Sequence, residues 1–145
     1  MNSGDGAAPH VRELALFLSV HRDRAPGLLW PEHDHPACRP WATRAVIDLM
    51  AGELAGLVGA RVSAVSGDGT ARRARGGPEP AHLLVRQNAG AGSWTLRPGP
   101  WGAVTEPFHC RLRADEVLYV PPGCGWSADL SPGSRYLLIR IEGAG

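Results

Sequence analysis

Lysine is absent from this sequence of 145 residues, and all 15 of its basic residues are arginine. That absence excludes Schiff-base chemistry on a lysine and phosphate loops that depend on one. Cysteine is scarce, with 3 residues and no Cys-x-x-Cys pair, so we expect free thiols and a reducing compartment. No apolar run is long enough to span a membrane, and the first ten residues lack an export signal. We therefore expect a cytoplasmic protein that does not enter a membrane.

Charge is nearly balanced, since the 14 acidic residues leave a net charge of +1. This balance argues against a nucleic-acid partner held by bulk electrostatic attraction. With 19 glycines and 13 prolines, the chain needs many turns, which favours short strands over long helices. The length is that of one domain with one modest core.

Helical periodicity marks two segments in the first part of the chain. Val11, Leu14 and Leu18 recur at helical spacing and predict a helix over 11–21. A second helix is predicted over 41–58, where Gly59 supplies a stop. Residues 1–10 are expected to be frayed or disordered.

From residue 60 onward, short apolar runs alternate with turn residues and predict a barrel or sandwich of strands at 61–66, 81–87, 93–97, 108–112, 116–120 and 136–141. The segment 22–39 is predicted to be extended or looped, and the segment 67–80 is predicted to be a long loop. The second of these carries Arg72, Arg73 and Arg75, which either bind phosphate groups or belong to a solvated loop.

The stretch 112–126 contains Pro121-Pro122-Gly123 after an apolar strand, and 81–87 ends in glutamine shortly before Trp94. These segments resemble the cupin-fold JmjC-type oxygenases, in particular the bacterial ribosomal-oxygenase branch. The resemblance implies a mainly β cupin fold, a double-stranded β-helix or jelly-roll barrel with two N-terminal helices. We expect one domain over 11–145, with a helical part at 11–59 and a barrel at 60–145.

The sequence differs from that family at the positions that bind the metal and the cosubstrate. Members hold Fe(II) with two histidines and a carboxylate, beside 2-oxoglutarate. Here the distal histidine position is occupied by Trp126, whose indole has no free lone pair for a metal. The first histidine falls on Gly77, the carboxylate on Glu79, and the basic anchor of 2-oxoglutarate on Gly92. We therefore expect neither a metal nor another cofactor.

The resemblance places Glu79 and Trp126 together at the barrel mouth. A carboxyl group against an aromatic wall is desolvated, which suits Glu79 to act as a general acid or base, the one catalytic residue predicted. Trp126, Trp94 and Gln87 are predicted to bind substrate. The alternatives are that the two tryptophans are core residues, that Gln87 makes an internal backbone contact and that Glu79 faces solvent.

Three further features contain residues that could support chemistry. The run 32–35 (Glu-His-Asp-His) with Cys38 is the densest set of potential metal ligands, and it is either a cation site or, as we prefer, a solvated loop. Strand alternation places His82 on the outer surface. Cys124 has no basic neighbour in sequence and is interpreted as a packing residue.

Three functions remain open at this point. The first is a metal-independent cupin that binds a small organic molecule in an aromatic barrel pocket, as a biosynthetic cyclase, isomerase or dehydratase if it is an enzyme. The second is a non-catalytic degenerate oxygenase that acts as a dimerisation or regulatory partner, with a homodimer plausible by resemblance. The third keeps Fe(II) and 2-oxoglutarate, with iron held by atypical ligands drawn from His33, His35, His82 and His109.

Overall fold

The computed structural model describes residues 7–68, 70, 72–99 and 104–143, and it opens with two helices, α1 (Pro9–His21) and α2 (Arg44–Val58). Because Pro9 is well suited to the first helical turn, α1 begins two residues before the predicted start. The rest of the segment expected to be frayed lies mainly outside the described residues. Helix α2 starts three residues later than predicted, because the Thr43 hydroxyl accepts the Val46 N–H at 3.3 Å.

The described residues form nine strands: β1 (Gly27–Leu29), β2 (Arg61–Asp68), β3 (Arg73–Gly76), β4 (His82–Ala89), β5 (Gly92–Arg97), β6 (Phe108–Leu112), β7 (Val117–Val120), β8 (Gly125–Leu130) and β9 (Arg135–Glu142). They make a five-stranded sheet in the order β1-β7-β4-β9-β2 and a four-stranded sheet in the order β3-β8-β5-β6. Every pairing is antiparallel. This is the predicted mainly β jelly-roll with two helices before most of its strands.

Two apolar clusters hold these layers together. One joins α1 and α2 to the outer face of the five-stranded sheet, and it includes the predicted helix residues Val11, Leu14 and Leu18. The other lies between the two sheets, inside the barrel, and contains Trp94 and Trp126. The five-stranded sheet is therefore covered on both faces, whereas the four-stranded sheet has one face in solvent.

All six predicted strands are present, and their ends differ from the prediction by at most two residues. Three others were missed. Strand β1 lies in the predicted loop 22–39, and β3 lies in the predicted loop 67–80. Strand β8 follows the Pro-Pro-Gly motif directly.

Neither helix of the described residues is both long enough and apolar enough to cross a membrane.

Candidate binding site

Aromatic rings fill the interior of the barrel. Trp94 on β5 is 1% exposed and Trp126 on β8 is 5% exposed. Their ring centroids are 5.3 Å apart, and Tyr136 on β9 meets Trp94 edge-on at 5.5 Å. Such ring pairs add to the free energy gained from burial. The two tryptophans predicted to bind substrate therefore pack on each other in the core.

Gln87 completes this arrangement from β4. Its side chain is fully buried, and its Oε1 accepts the Trp94 Nε1–H at 3.3 Å. Its Nε2 donates to the Ala89 carbonyl at 3.0 Å. A buried amide needs such partners, and Gln87 finds them within the protein. This is the internal contact left open by the sequence, and it also orients the indole of Trp94.

Two glycines stand where the resembled family has chemical groups, and the surrounding structure excludes larger residues there. A Cβ atom on Gly77 would lie 2.5 Å from the Cys124 carbonyl oxygen, at a φ of +67° that L side chains rarely adopt. A Cβ atom on Gly92 would lie 2.7 Å from Trp94 Nε1 and 3.2 Å from Gln87 Oε1. A side chain at Gly77 would therefore collide with the backbone, and a side chain at Gly92 would require Trp94 and its neighbours to shift.

Glu79 lies close to the Pro-Pro-Gly turn, but its carboxylate is directed to another partner. Its carbonyl oxygen accepts the Gly123 N–H at 2.9 Å, and Gly76 is paired with Trp126 across β3 and β8. The backbone thus brings the segments of Glu79 and Trp126 together, as expected. The carboxylate, however, accepts two hydrogen bonds from the Arg140 guanidinium, at 2.9 and 3.1 Å.

Sequence reasoning missed Arg140, although a signal was present. Arg140 shares a strand face with Tyr136 and Leu138, both of which contribute to the barrel core. An arginine on an inward face needs a counter-ion, and a bidentate carboxylate is the partner that suits it best. The acid/base role of Glu79 stays a prediction, and it requires the carboxylate to leave this ion pair.

The expected outward position of His82 is wrong. His82 is 6% exposed, and its Nδ1 lies 2.8 Å from the Tyr119 hydroxyl, which also accepts the Asp23 N–H at 3.1 Å. Burial lowers the pKa of His82. Burial likewise raises the pKa of Tyr119 to about 12, so both groups are held neutral. Alternation gave the correct face of β4, but the helices and the segment after α1 cover that face and bury His82.

The run 32–35 is tied down by hydrogen bonds within the protein. The Glu13 carboxylate of α1 accepts the Glu32 N–H at 2.6 Å and the His33 N–H at 3.0 Å. His35 Nδ1 accepts the Ala37 N–H at 3.0 Å. Across the described residues, no group of three or more His, Cys, Asp or Glu side chains is arranged to hold a metal ion.

The four histidines considered as atypical iron ligands do not converge. His33 and His35 lie beside the helices, and His82 lies between the five-stranded sheet and its covering layer. His109 is exposed on β6, where its Nδ1 is 3.1 Å from Thr95 Oγ1. Their positions therefore give no support to the third function.

None of the three cysteines has the lowered thiol pKa that is typical of a reactive cysteine. Burial raises the pKa of Cys124 and raises the pKa of Cys38 and of Cys110 to about 11. A thiol held protonated is a poor nucleophile and a poor metal ligand. Cys124 is 3% exposed within the barrel cluster, in agreement with a packing role.

Fold and site together define a cupin-type double-stranded β-helix whose interior is filled by packed side chains. The ribosomal oxygenase YcfD of Escherichia coli, in complex with cobalt and 2-oxoglutarate, matches with a TM-score of 0.57 and 12% identity, over 91% of this chain and 52% of that one. A second YcfD structure gives 0.55 and 12%, over 89% and 51%. RmlC of Streptococcus suis with dTDP-D-xylose gives 0.46 and 10%, over 58% and 44%.

The chain thus spans about half the length of YcfD, and at these identities the likeness shows the fold alone. No protein family matches the sequence, and no curated protein does. The expectation of a cupin fold is confirmed.

Proposed function

We propose that this chain is a metal-independent cupin-fold protein that binds a small organic molecule. The observation that carries the proposal is the contact of Trp126 with Trp94 at the centre of the barrel. An indole occupies the place where the resembled oxygenases have a metal-binding histidine. The close contacts at Gly77 and Gly92 support the same conclusion, since a side chain at either position would require its neighbours to move.

Binding is favoured over catalysis because the polar groups inside the barrel are engaged. Gln87 is bonded to Trp94, and Glu79 is bonded to Arg140. Four clefts formed by the described residues are lined by other side chains. A ligand in the predicted aromatic pocket would have to displace Trp126. If the protein is an enzyme, its chemistry is expected to be acid/base chemistry at Glu79.

The experiment is a thermal-shift screen of small organic acids, phosphates and neutral metabolites, carried out in parallel with a chelator and with Fe(II) plus 2-oxoglutarate. A ligand that binds only the folded state raises the Tm. We expect at least one compound to raise the Tm equally under both conditions. Stabilisation seen only with Fe(II) and 2-oxoglutarate would overturn the proposal.

A second candidate function is self-association, and one surface favours it. Leu16 and Val20 of α1 are 68% and 52% exposed, and Leu28 and Trp30 at the edge strand β1 are 42% and 75% exposed. Large exposed apolar side chains in one patch are typical of an interface. Strand β1 also leaves one side of its backbone unpaired, which a second copy of β1 could complete.

Light scattering after size-exclusion chromatography tests this candidate. We expect the wild type to be a dimer and Leu16→Glu to be a folded monomer whose Tm no longer depends on protein concentration. Leu49→Glu on α2, at 63% exposure, is the matched control and should remain dimeric. A wild type that is monomeric at all concentrations rules the candidate out.

A further inference from the structure

Arginines are concentrated on the solvent face of the four-stranded sheet. Its strands β3, β5, β6 and β8 present Arg73, Arg75, Arg97 and Arg111 at exposed positions. Asp129 is the one carboxylate within these four strands, and it pairs with Arg73 at 3.3 Å. Arg75, Arg97 and Arg111 have no ion pair within the described part of the chain. An unpaired guanidinium is a ready donor for a phosphate or carboxylate.

Two of these arginines share a cleft. Arg75 and Arg97 line a depression of about 570 Å³ whose other walls are glycines and prolines. A second depression of about 560 Å³ on the same face also includes both arginines, and it adds hydroxyl groups from Ser93, Thr95 and Ser127 together with the Arg73–Asp129 ion pair. The two depressions adjoin and offer guanidinium and hydroxyl donors to one bound molecule.

The strand register fixes the spacing of the two guanidinium groups. Arg75 pairs with Ser127, Ser127 pairs with Thr95, and Arg97 lies two residues further along β5. Two inter-strand steps and two residues along a strand separate the Cα atoms of Arg75 and Arg97 by about 12 Å. Long side chains on such anchors can reach two neighbouring anionic groups between them.

Among the glycines that line the cleft, Gly125 is the one at which a side chain would make no close contact with the protein. At Gly76, Gly77 and Gly99, which also line the cleft, a Cβ atom would come within 2.7 Å of the Trp126 ring or a backbone carbonyl. At Gly125 the nearest atom would be 3.9 Å away. Gly125 is the first residue of β8, and a glycine in a strand is one of the ways in which room is left for a ligand or another backbone to approach closely.

We propose that the cleft formed by Arg75, Gly125 and Arg97 binds the phosphate groups of a small phosphorylated organic molecule. The arginines bind the phosphates in bidentate fashion, and Gly125 leaves room for the molecule to approach the backbone. A single-stranded nucleic acid is disfavoured, because the outward positions of these four strands carry no Trp, Tyr or Phe, which leaves the His109 ring alone for base stacking. This inference rests on the proposed small-molecule binding and moves the site from the barrel interior to its outer surface.

Calorimetric titration with inorganic pyrophosphate, in the presence of a chelator, tests the site. We expect Arg75→Gln and Arg97→Gln each to weaken binding by about tenfold or more, because each loses a charge-assisted pair. Gly125→Glu should abolish binding, since it places a carboxylate between the two guanidinium groups. Arg111→Gln removes the same charge from the same face outside the cleft and should change affinity less than about twofold.

The outcomes separate this site from the alternatives. Equal weakening by Arg75→Gln and Arg111→Gln would mean diffuse attraction and would overturn the site. A labelled single-stranded oligonucleotide that binds more tightly than pyrophosphate and depends on all three arginines would overturn the ligand class. If pyrophosphate fails to bind while other compounds raise the Tm without metal, the cleft proposal fails and the proposed function stands. The Tm of Gly125→Glu is also measured, to establish that this variant folds. The affinities of Arg75→Gln and Arg97→Gln for pyrophosphate test the site independently of it.

Discussion

Inward and outward side chains alternate along β5 and β8, so the same two strands supply both the barrel interior and the solvent face of the smaller sheet. Inside, Trp94 and Trp126 are in ring contact and Gln87 satisfies the buried indole N–H. Outside, Arg75 and Arg97 flank an open groove without a carboxylate partner. Because the interior of this barrel is packed with side chains, the proposed ligand site lies on its outer surface.

The largest expected effect comes from opening the interior. Trp94→Ala removes a buried ring that contacts Trp126 and Tyr136, and we expect a loss of about 3–5 kcal/mol in the free energy of unfolding. Trp41→Ala is the control, because Trp41 is 75% exposed and should cost less than about 0.5 kcal/mol. Chemical denaturation measures both, and equal costs would contradict a packed interior.

The next largest effect is a dependence of stability on pH that arises on the helical side of the larger sheet. Burial, aided by the charge of Arg86, lowers the pKa of His10 from 6.5 to about 4. Between pH 6.5 and pH 4, His10 is protonated in the unfolded chain and neutral in the folded chain. The free energy of unfolding therefore falls as the pH falls from 6.5 towards 4. The shift corresponds to about 3 kcal/mol.

Denaturation curves across this pH range test the effect of His10. His10→Leu should flatten the pH dependence in part, since burial also lowers the pKa of His35 and of His82. Leu49→Gln, at a residue that is 63% exposed and carries no titratable group, is the control and should leave the shape of the pH profile unchanged. An unaltered profile for His10→Leu would show that folding does not change the pKa of His10.

A smaller effect is expected at the barrel mouth. Glu79 and Arg140 are 27% and 35% exposed, so solvent screens their ion pair and we expect a coupling energy of about 1 kcal/mol. A double-mutant cycle with Glu79→Gln and Arg140→Gln measures it. A coupling near zero would mean that Glu79 is free in solution, as its predicted acid/base role requires.

The parts of the fold that follow from local pattern were predictable from the sequence. Helix α2 has a strong apolar period and a glycine stop, and Phe108–Leu112 was predicted with both of its ends. Strand β8 also carried a readable pattern, because its inward Trp126, Ala128 and Leu130 alternate with polar residues. The prediction omits β8 because Trp126 is interpreted there from its place in the family motif and not from this alternation.

Other features depend on partners distant in sequence. Strand β3 has no apolar alternation and exists through its pairing with β8. His82 was misplaced because β4 is buried on both faces, which leaves alternation without a burial signal. The partnership of Glu79 with Arg140 joins residues 61 positions apart. Such contacts are set by topology, and no local pattern contains them.

The most direct test of the central claim is the metal content of the protein after anaerobic dialysis against Fe(II) and 2-oxoglutarate, followed by removal of unbound ions. With Trp126 packed on Trp94, the account predicts iron far below one equivalent per chain. One equivalent of tightly bound iron, retained only when 2-oxoglutarate is present, would contradict it.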